Sequence, residues 1–236
     1  MKAIILAAGE GIRMRPLTND IPKPMLLLDG KPLLEHIIDS LPDNIDELVL
    51  VVGYLHNKIH NHFKHHFGRF KIDYLIQSEK TGTYDALKLC SGLLEESEKF
   101  LLMFADDLHG RDGLERCVNT RNFCVLVSDA EDPKRFGVIE TDKEGIIKSF
   151  EEKPENPKSN LVSTGVLLLD KSVFKYPARQ HPNGERYLTD AISQMIQDGH
   201  KFEAVRSTFW LPIGYPEDLE RAAAFLSEPR KGWKKY

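Results

Sequence analysis

From Leu6 to Leu26 the chain reads LAAGEGIRMRPLTNDIPKPML, with two glycines, two arginines, a lysine and three prolines in close succession. Glycine lets a backbone approach a ligand closely and adopt positive φ. Successive main-chain N–H groups can then form a concave anion site. Arg13, Arg15 and Lys23 would add fixed positive charge, which suits a triphosphate because its charge spreads over many oxygens. Two familiar phosphate motifs fail. GxGxxG would need glycine where Met14 stands, and a helix that Pro16, Pro22 and Pro24 oppose. GK[ST] is absent. From spacing alone, a phosphate cradle and an ordinary basic surface loop both stand.

Such a loop needs a rigid strand behind it. KAIILAA, just upstream, is a buried parallel strand by its unbroken apolar run. KPLLEHIIDSL puts Leu33, Leu34, Ile37, Ile38 and Leu41 on one helical face. ELVLVVG and FKIDYLIQ read as strands, TYDALKLCSGLLEES as a helix, FLLMFAD as a strand ending in acid, and FCVLVS as another strand. This alternation implies βαβ units and a mostly parallel sheet with both faces covered, and ligands of such sheets sit beyond the strands' carboxyl ends. After about Asp129 the pattern changes. RFGVIETDKEGIIKSFEEKP reads as a hairpin turning at Asp142 to Gly145, and NLVSTGVLLLD as a strand. RYLTDAISQMIQDG reads as a helix closed by Gly199. Pro216 opens a last helix with Leu219, Ala222, Ala223 and Leu226 on one face. One domain is expected over 1–228, with a nucleotide-binding half (1–129) and a half capping the sheet's carboxyl edge (130–228), then a basic tail over 229–236.

Composition narrows the classes. The 236 residues are 41% hydrophobic and 29% charged, as in an ordinary globule. No stretch approaches the ~20 apolar residues of a membrane span, so no membrane partner is expected. No leader is expected either, since the N-terminus goes straight into a strand. The formal charge of −4 argues against a nucleic-acid partner. Cys90, Cys117 and Cys124 form no CxxC, which suits a reduced, cytoplasmic protein with buried thiols. Five histidines crowd HNKIHNHFKHHF. His56/His60 and His62/His66 stand at i,i+4, a zinc-compatible spacing, but with no completing Cys or acid they read as a polar helix face. His109 is better placed to meet a substrate, while Phe209 and Trp210 read as core.

LAAGEGIRMRPLT…PKPM resembles the signature of the sugar-phosphate nucleotidylyltransferases, usually written GxGTRMxPLT followed by PKPM or PKPL. QSEKTGTYDA, FADD, RFGVIE, EEKP, STGVLLLD, YLTDAI and WLPIGYPEDL continue the resemblance in family order. It implies a single Rossmann-like nucleotidyltransferase domain of α/β class, with a mixed, mostly parallel central sheet flanked by helices. It also implies the joining of a nucleoside triphosphate (NTP) to a sugar 1-phosphate, giving a nucleotide sugar and pyrophosphate, with Mg²⁺ as cofactor. By the same resemblance, Arg13 grips the leaving pyrophosphate and Lys23 lies near the α-phosphate. Leu6, Ala7, Ala8, Gly9 and Gly11 supply backbone contacts. Gln77, with Gly82 and Thr83, reads the base; an amide suits the paired donor and acceptor of uracil or thymine. Ala8, where many thymidylyl and guanylyl members have glycine, leans toward UTP. Asp106 is the metal aspartate, and Asp107 touches the sugar or a metal-bound water. Gly137, Glu152, Lys153, Thr164 and Gly165 form the sugar half-site, with Lys153 on the sugar's phosphate.

Two positions depart from that pattern. Ile12 replaces a hydroxyl residue between Gly11 and Arg13. Pro212 stands where members commonly carry a second metal-binding aspartate in W-x-D-x-G. The loss keeps open a catalytically weak nucleotide-sugar-binding regulator. The opening motif and VVGYL also admit a cytidylyltransferase acting on another phosphorylated small molecule. Many members continue into a left-handed β-helix, which is not expected in this chain; a homodimer is plausible.

Overall fold

A computed structural model of the chain describes residues 1–227; the basic tail lies outside them. In chain order the main elements are β1 (Lys2–Ala7), α1 (Leu33–Asp39), β2 (Glu47–Val52), α2 (His56–Phe63), β3 (Phe70–Ile76), α3 (Thr83–Lys88) and β4 (Phe100–Phe104). Then come β5 (Asp107–His109), α4 (Arg111–Val118), β6 (Phe123–Asp129), β7 (Gly137–Thr141), β8 (Ile147–Glu152) and β9 (Leu161–Leu169). α5 (Leu188–Gln197), β10 (Phe202–Arg206), β11 (Trp210–Pro212) and α6 (Pro216–Ser227) follow.

β3, β2, β1 and β4 pair in parallel in that order. β9 then runs antiparallel to β4 and carries the β7–β8 hairpin, while β6 branches from β9 and pairs in parallel with β10. A two-residue strand, His66–Phe67, completes a mixed ten-stranded sheet among the described residues. Alternate side chains serve opposite layers, as the two-residue period of a strand requires. Ala3, Ile5 and Ala7 join the core under α1, α2, α4 and α6, whereas Ile4 joins the core under α3 and α5. All three cysteines are buried and free.

The opening segment leaves β1 at its carboxyl end and makes only single 3₁₀ turns at Ile12–Met14 and Lys23–Met25, as its prolines dictate. The hairpin turns at Asp142, whose Oδ1 accepts from the N–H groups of Glu144 and Ile146. Gly199 closes α5 at φ 90°. Two expectations need correction. The helix read from TYDALKLCSGLLEES is α-helical only to Lys88 and tightens to a 3₁₀ turn over Leu89–Leu93; Gly92 weakens it, and Leu89 and Leu93 face solvent rather than core. On α6, Ala222, Leu219 and Leu226 pack inward but Ala223 is exposed.

Candidate active site

The carboxyl end of β4 and Arg13 of the opening segment line one cavity of about 450 Å³. Gly11 explains how the segment folds back. Its φ of 63° is left-handed, and an added β-carbon would stand 3.0 Å from both the Lys23 Cβ and a Thr18 methyl. Thr18 Oγ1 donates to the Gly11 carbonyl at 2.8 Å. Lys23 is thereby carried under the loop, 7% exposed, with Nζ 3.2 Å from Asp106 Oδ2. Arg13 projects into the same cavity. Arg15 instead pairs with Glu10, which also holds Lys80 at 2.6 Å.

Asp106 and Asp107 follow β4. The Asp106 side chain is 41% exposed and faces the cavity. Asp107 Oδ2 accepts from Trp210 Nε1 at 2.8 Å, so Trp210 buttresses the site instead of only filling core. Burial, then the neighbouring charge of Asp106, pushes the Asp107 carboxyl up to about 8. β5 and β11 pair so that Pro212 stands opposite Asp107, and the Ile213 N–H donates to the Asp106 carbonyl at 3.0 Å. Pro212 is therefore beside the acids in space and brings no side-chain oxygen. At this corner Asp106 offers an exposed carboxylate, a ligand that fits Mg²⁺ held mainly by phosphate oxygens and water. Among the described residues no group of three or more His, Cys, Asp or Glu is placed to hold a metal ion.

On the facing wall, Glu152 Oε2 accepts from Thr189 Oγ1 at 2.8 Å, and Lys153 Nζ lies 3.2 Å from Glu152 Oε1. Lys153 adopts φ 44°; a non-glycine residue held in that region at a cavity wall marks imposed strain. Gly137 lets the Phe150 ring pass 2.5 Å from where a β-carbon would sit. Gly165, at φ 82°, likewise makes room for the Phe104 ring, 2.9 Å from where a β-carbon would sit. Thr164 is fully buried; its hydroxyl donates to the Leu126 carbonyl and its carbonyl accepts from His109 Nε2. His109 is 3% exposed, and burial lowers its pKa to about 4, so the expectation that it meets a substrate is withdrawn.

Leu6 and Ala7 end β1, with Ala8 and the exposed Gly9 just beyond, and none of the four is among the residues lining this cavity. Gln77 lies apart from it, at a smaller hollow with Ser78, Glu79, Thr81 and Asp85. Its amide N–H donates to the Gly82 carbonyl at 3.1 Å, which leaves the side-chain carbonyl to accept. Gly53 lets the strand ends close up there, since a β-carbon would stand 2.8 Å from the Ala8 carbonyl. Gly82 has φ 101°, and a β-carbon on it would fall 2.3 Å from the Arg186 carbonyl. Thr83 Oγ1 accepts from the Leu188 N–H, capping α5 from another element.

Sequence reasoning passed over Arg135, Tyr187, Thr189 and Tyr215. Thr189 stands within YLTDAI, but nothing local shows that its hydroxyl reaches back to Glu152. The clustered histidines do not converge: His60 and His65 Nε2 atoms stand 3.5 Å apart, His62 bonds Glu35, and the His56 Nε2 is buried without a hydrogen-bond partner among the described residues.

Solved structures share this architecture over nearly the full chain. A Bacillus anthracis protein assigned as a glucose-1-phosphate thymidylyltransferase, crystallised with sucrose, superposes with a TM-score of 0.85 at 27% identity, covering 99% of this chain and 98% of its own. A UDP-glucose pyrophosphorylase complexed with UDP-glucose gives 0.81 at 22% identity, covering 95% and 97%, which speaks of fold. The architecture is that of the α/β nucleotidyltransferases. The chain belongs to the nucleotidyl transferase family, which it matches over residues 2–228. It is 37% identical to the UTP–glucose-1-phosphate uridylyltransferase AglF of Haloferax volcanii over 97% of both chains. It is 38% identical to the bifunctional protein GlmU of Methanocaldococcus jannaschii, covering 96% of this chain and 54% of that one, so it spans about half the length of that relative. A heptose 1-phosphate guanylyltransferase from Campylobacter jejuni is 32% identical. No helix among the described residues is long and apolar enough to cross a membrane.

Proposed function

We propose that the protein transfers a nucleotidyl group from an NTP, with UTP or dTTP preferred, to a sugar 1-phosphate. The observation that carries this reading is one cavity with Arg13 and Asp106 on the strand-end side and Glu152, Lys153 and Thr189 on the other. The first group suits a polyphosphate and the second a hydroxyl-rich phosphate. In this reading, residues 1–129 hold the nucleotide and 130–228 the sugar.

The sugar phosphate oxygen attacks the α-phosphorus in line. The bond from that phosphorus to the bridging oxygen breaks, and pyrophosphate leaves with the electron pair. The nucleophile is already an anion, so no general base is required and the barrier falls by positioning and charge neutralisation. Lys23 lies near the α-phosphate, and Arg13 takes the charge gained by the leaving group. Gly9 and Gly11 offer main-chain donors. Glu152, oriented by Thr189, accepts from sugar hydroxyls, and Lys153 holds the sugar's phosphate against the Tyr187 ring, 5.8 Å from its Nζ. Mg²⁺ at Asp106 would supply further neutralisation of phosphate charge. The free Gln77 carbonyl and the Gly82 backbone suit the imide edge of a pyrimidine; the uridylyl activity named for AglF is in line with this, while the Campylobacter relative is named for guanylyl transfer.

The test pairs each NTP with several sugar 1-phosphates and measures pyrophosphate release. Turnover with a pyrimidine nucleotide is expected. Binding of a nucleotide sugar without turnover in any pair would replace this reading with a sensing role.

A further inference from the structure

We propose that Arg135 is a second pyrophosphate-binding arginine, acting with Arg13 from around one aromatic ring. This rests on the nucleotidyl-transfer reading above. The Arg13 Cζ stands 5.2 Å and the Arg135 Cζ 5.1 Å from the centre of the Tyr215 ring. Arg135 also lies 5.7 Å from the Phe136 ring. Both arginines line the main cavity with Asp106, Pro212 and Gly214.

The two guanidiniums converge beside Gly214. The point that a β-carbon there would occupy is 3.6 Å from Arg135 Nη2, 3.6 Å from Asp218 Oδ2 and 3.8 Å from Arg13 Nη1. Two guanidiniums and one carboxylate oxygen thus border one small space beside Gly214. Among the described residues neither guanidinium forms an ion pair, whereas Arg15, Arg111, Arg186, Arg206 and Arg221 each have a carboxylate. The acid nearest that space, Asp218, is already occupied. Its Oδ2 accepts from the Gly214 and Tyr215 N–H groups, and its Oδ1 accepts from Arg221.

Two aromatic-stacked guanidiniums without a counter-ion are suited to an anion with several charged oxygens, because each planar fork can take two of them. A diphosphate can engage both forks at once. The sugar's monophosphate has Lys153 beside Glu152 for its own. As the bridging bond at the α-phosphorus breaks, its electron pair stays on the departing diphosphate, and the charge gained lies between the two forks. Pro212 contributes no carboxylate to this wall, which leaves a larger share of the leaving group's neutralisation to the two forks.

Titration calorimetry with inorganic pyrophosphate, read without turnover, tests this on the wild type, Arg135→Gln and Arg135→Lys. Arg135→Gln should weaken pyrophosphate binding roughly 10-fold or more, as for the loss of a charge-assisted hydrogen bond. It should flatten the salt dependence and leave the KM for the sugar 1-phosphate unchanged, and Arg135→Lys should recover part of the loss. Arg135 is exposed, so the variants should fold, which thermal melts check. Wild-type pyrophosphate affinity in Arg135→Gln with a lowered Tm would reduce Arg135 to a cover for Tyr215. A raised KM for the sugar phosphate alone would move it to the other half-site. Either result overturns the proposal while wild-type turnover stands. Absence of turnover in the wild type with pyrophosphate binding still dependent on Arg135 would instead remove the parent reading.

Discussion

Lys23 Nζ lies 3.2 Å from Asp106 Oδ2, joining the proline-rich loop to the tip of β4 by a contact between a buried ammonium and a half-open carboxylate. The lysine is fixed by the left-handed turn at Gly11, and it steadies the carboxylate at the cavity. Asp106→Asn removes the charge and keeps the shape. Initial rates of pyrophosphate release should fall by about 100-fold or more, with a modest drop in Tm because Lys23 loses its counter-ion. An unchanged rate would remove Asp106 from the reaction.

Pro212 faces Asp107 across a short ladder and adjoins Asp106. Pro212→Asp would bring a third carboxylate to that corner. Without Mg²⁺ the variant should melt lower than the wild type through like-charge repulsion. Added Mg²⁺ should restore the loss and lower the concentration needed for half-maximal rate. A Tm indifferent to Mg²⁺ would show that position 212 does not look onto a metal.

On the facing wall, Thr189→Val removes the hydroxyl that donates to Glu152. The KM for the sugar phosphate should rise roughly 10-fold, in line with one lost hydrogen bond to a charged group, with the KM for NTP little changed. Lys153→Ala should act in the same direction. Equal loss of both affinities in either variant would contradict the division of the cavity.

Asp218, behind the cavity wall at Gly214, gives a prediction for stability against pH. Burial alone would raise its carboxyl, but the Gly214 N–H, the Arg221 pair and the Tyr215 N–H outweigh it and hold the pKa below the ordinary 3.8. A depressed carboxyl stabilises the fold above its unfolded pKa and loses that contribution as pH falls through the folded value. The Tm gap between wild type and Asp218→Asn should be full at neutral pH and close below about pH 4. A gap independent of pH would mean that the charge contributes nothing.

The fold was legible where neighbours along the chain carry the signal. The apolar run of KAIILAA, the helical face of Leu33 to Leu41 and the hairpin at Asp142 each declare themselves locally. Gly92 was a visible warning that the third helix would tighten early. The site was legible as motifs only. Glu152 and Thr189 lie far apart in sequence, and a hydroxyl at a helix start reads as a cap. Arg135 looks like a surface charge until Tyr215 arrives from the far end of the chain to share it with Arg13. His109 shows the converse: its place after the acids suggested a substrate contact, but the fold turned its ring inward to Thr164.

The Gly82–Arg186 crossing has a mechanical consequence. Two backbones this close, tied by the Arg186 N–H to the Thr81 carbonyl and the Tyr84 N–H to the Arg186 carbonyl, couple the Gln77–Gly82 segment to the stretch that leads into the helix bearing Thr189 like a rivet. A library randomised at position 82 should return glycine alone among folded clones, because every other side chain would push the rivet open.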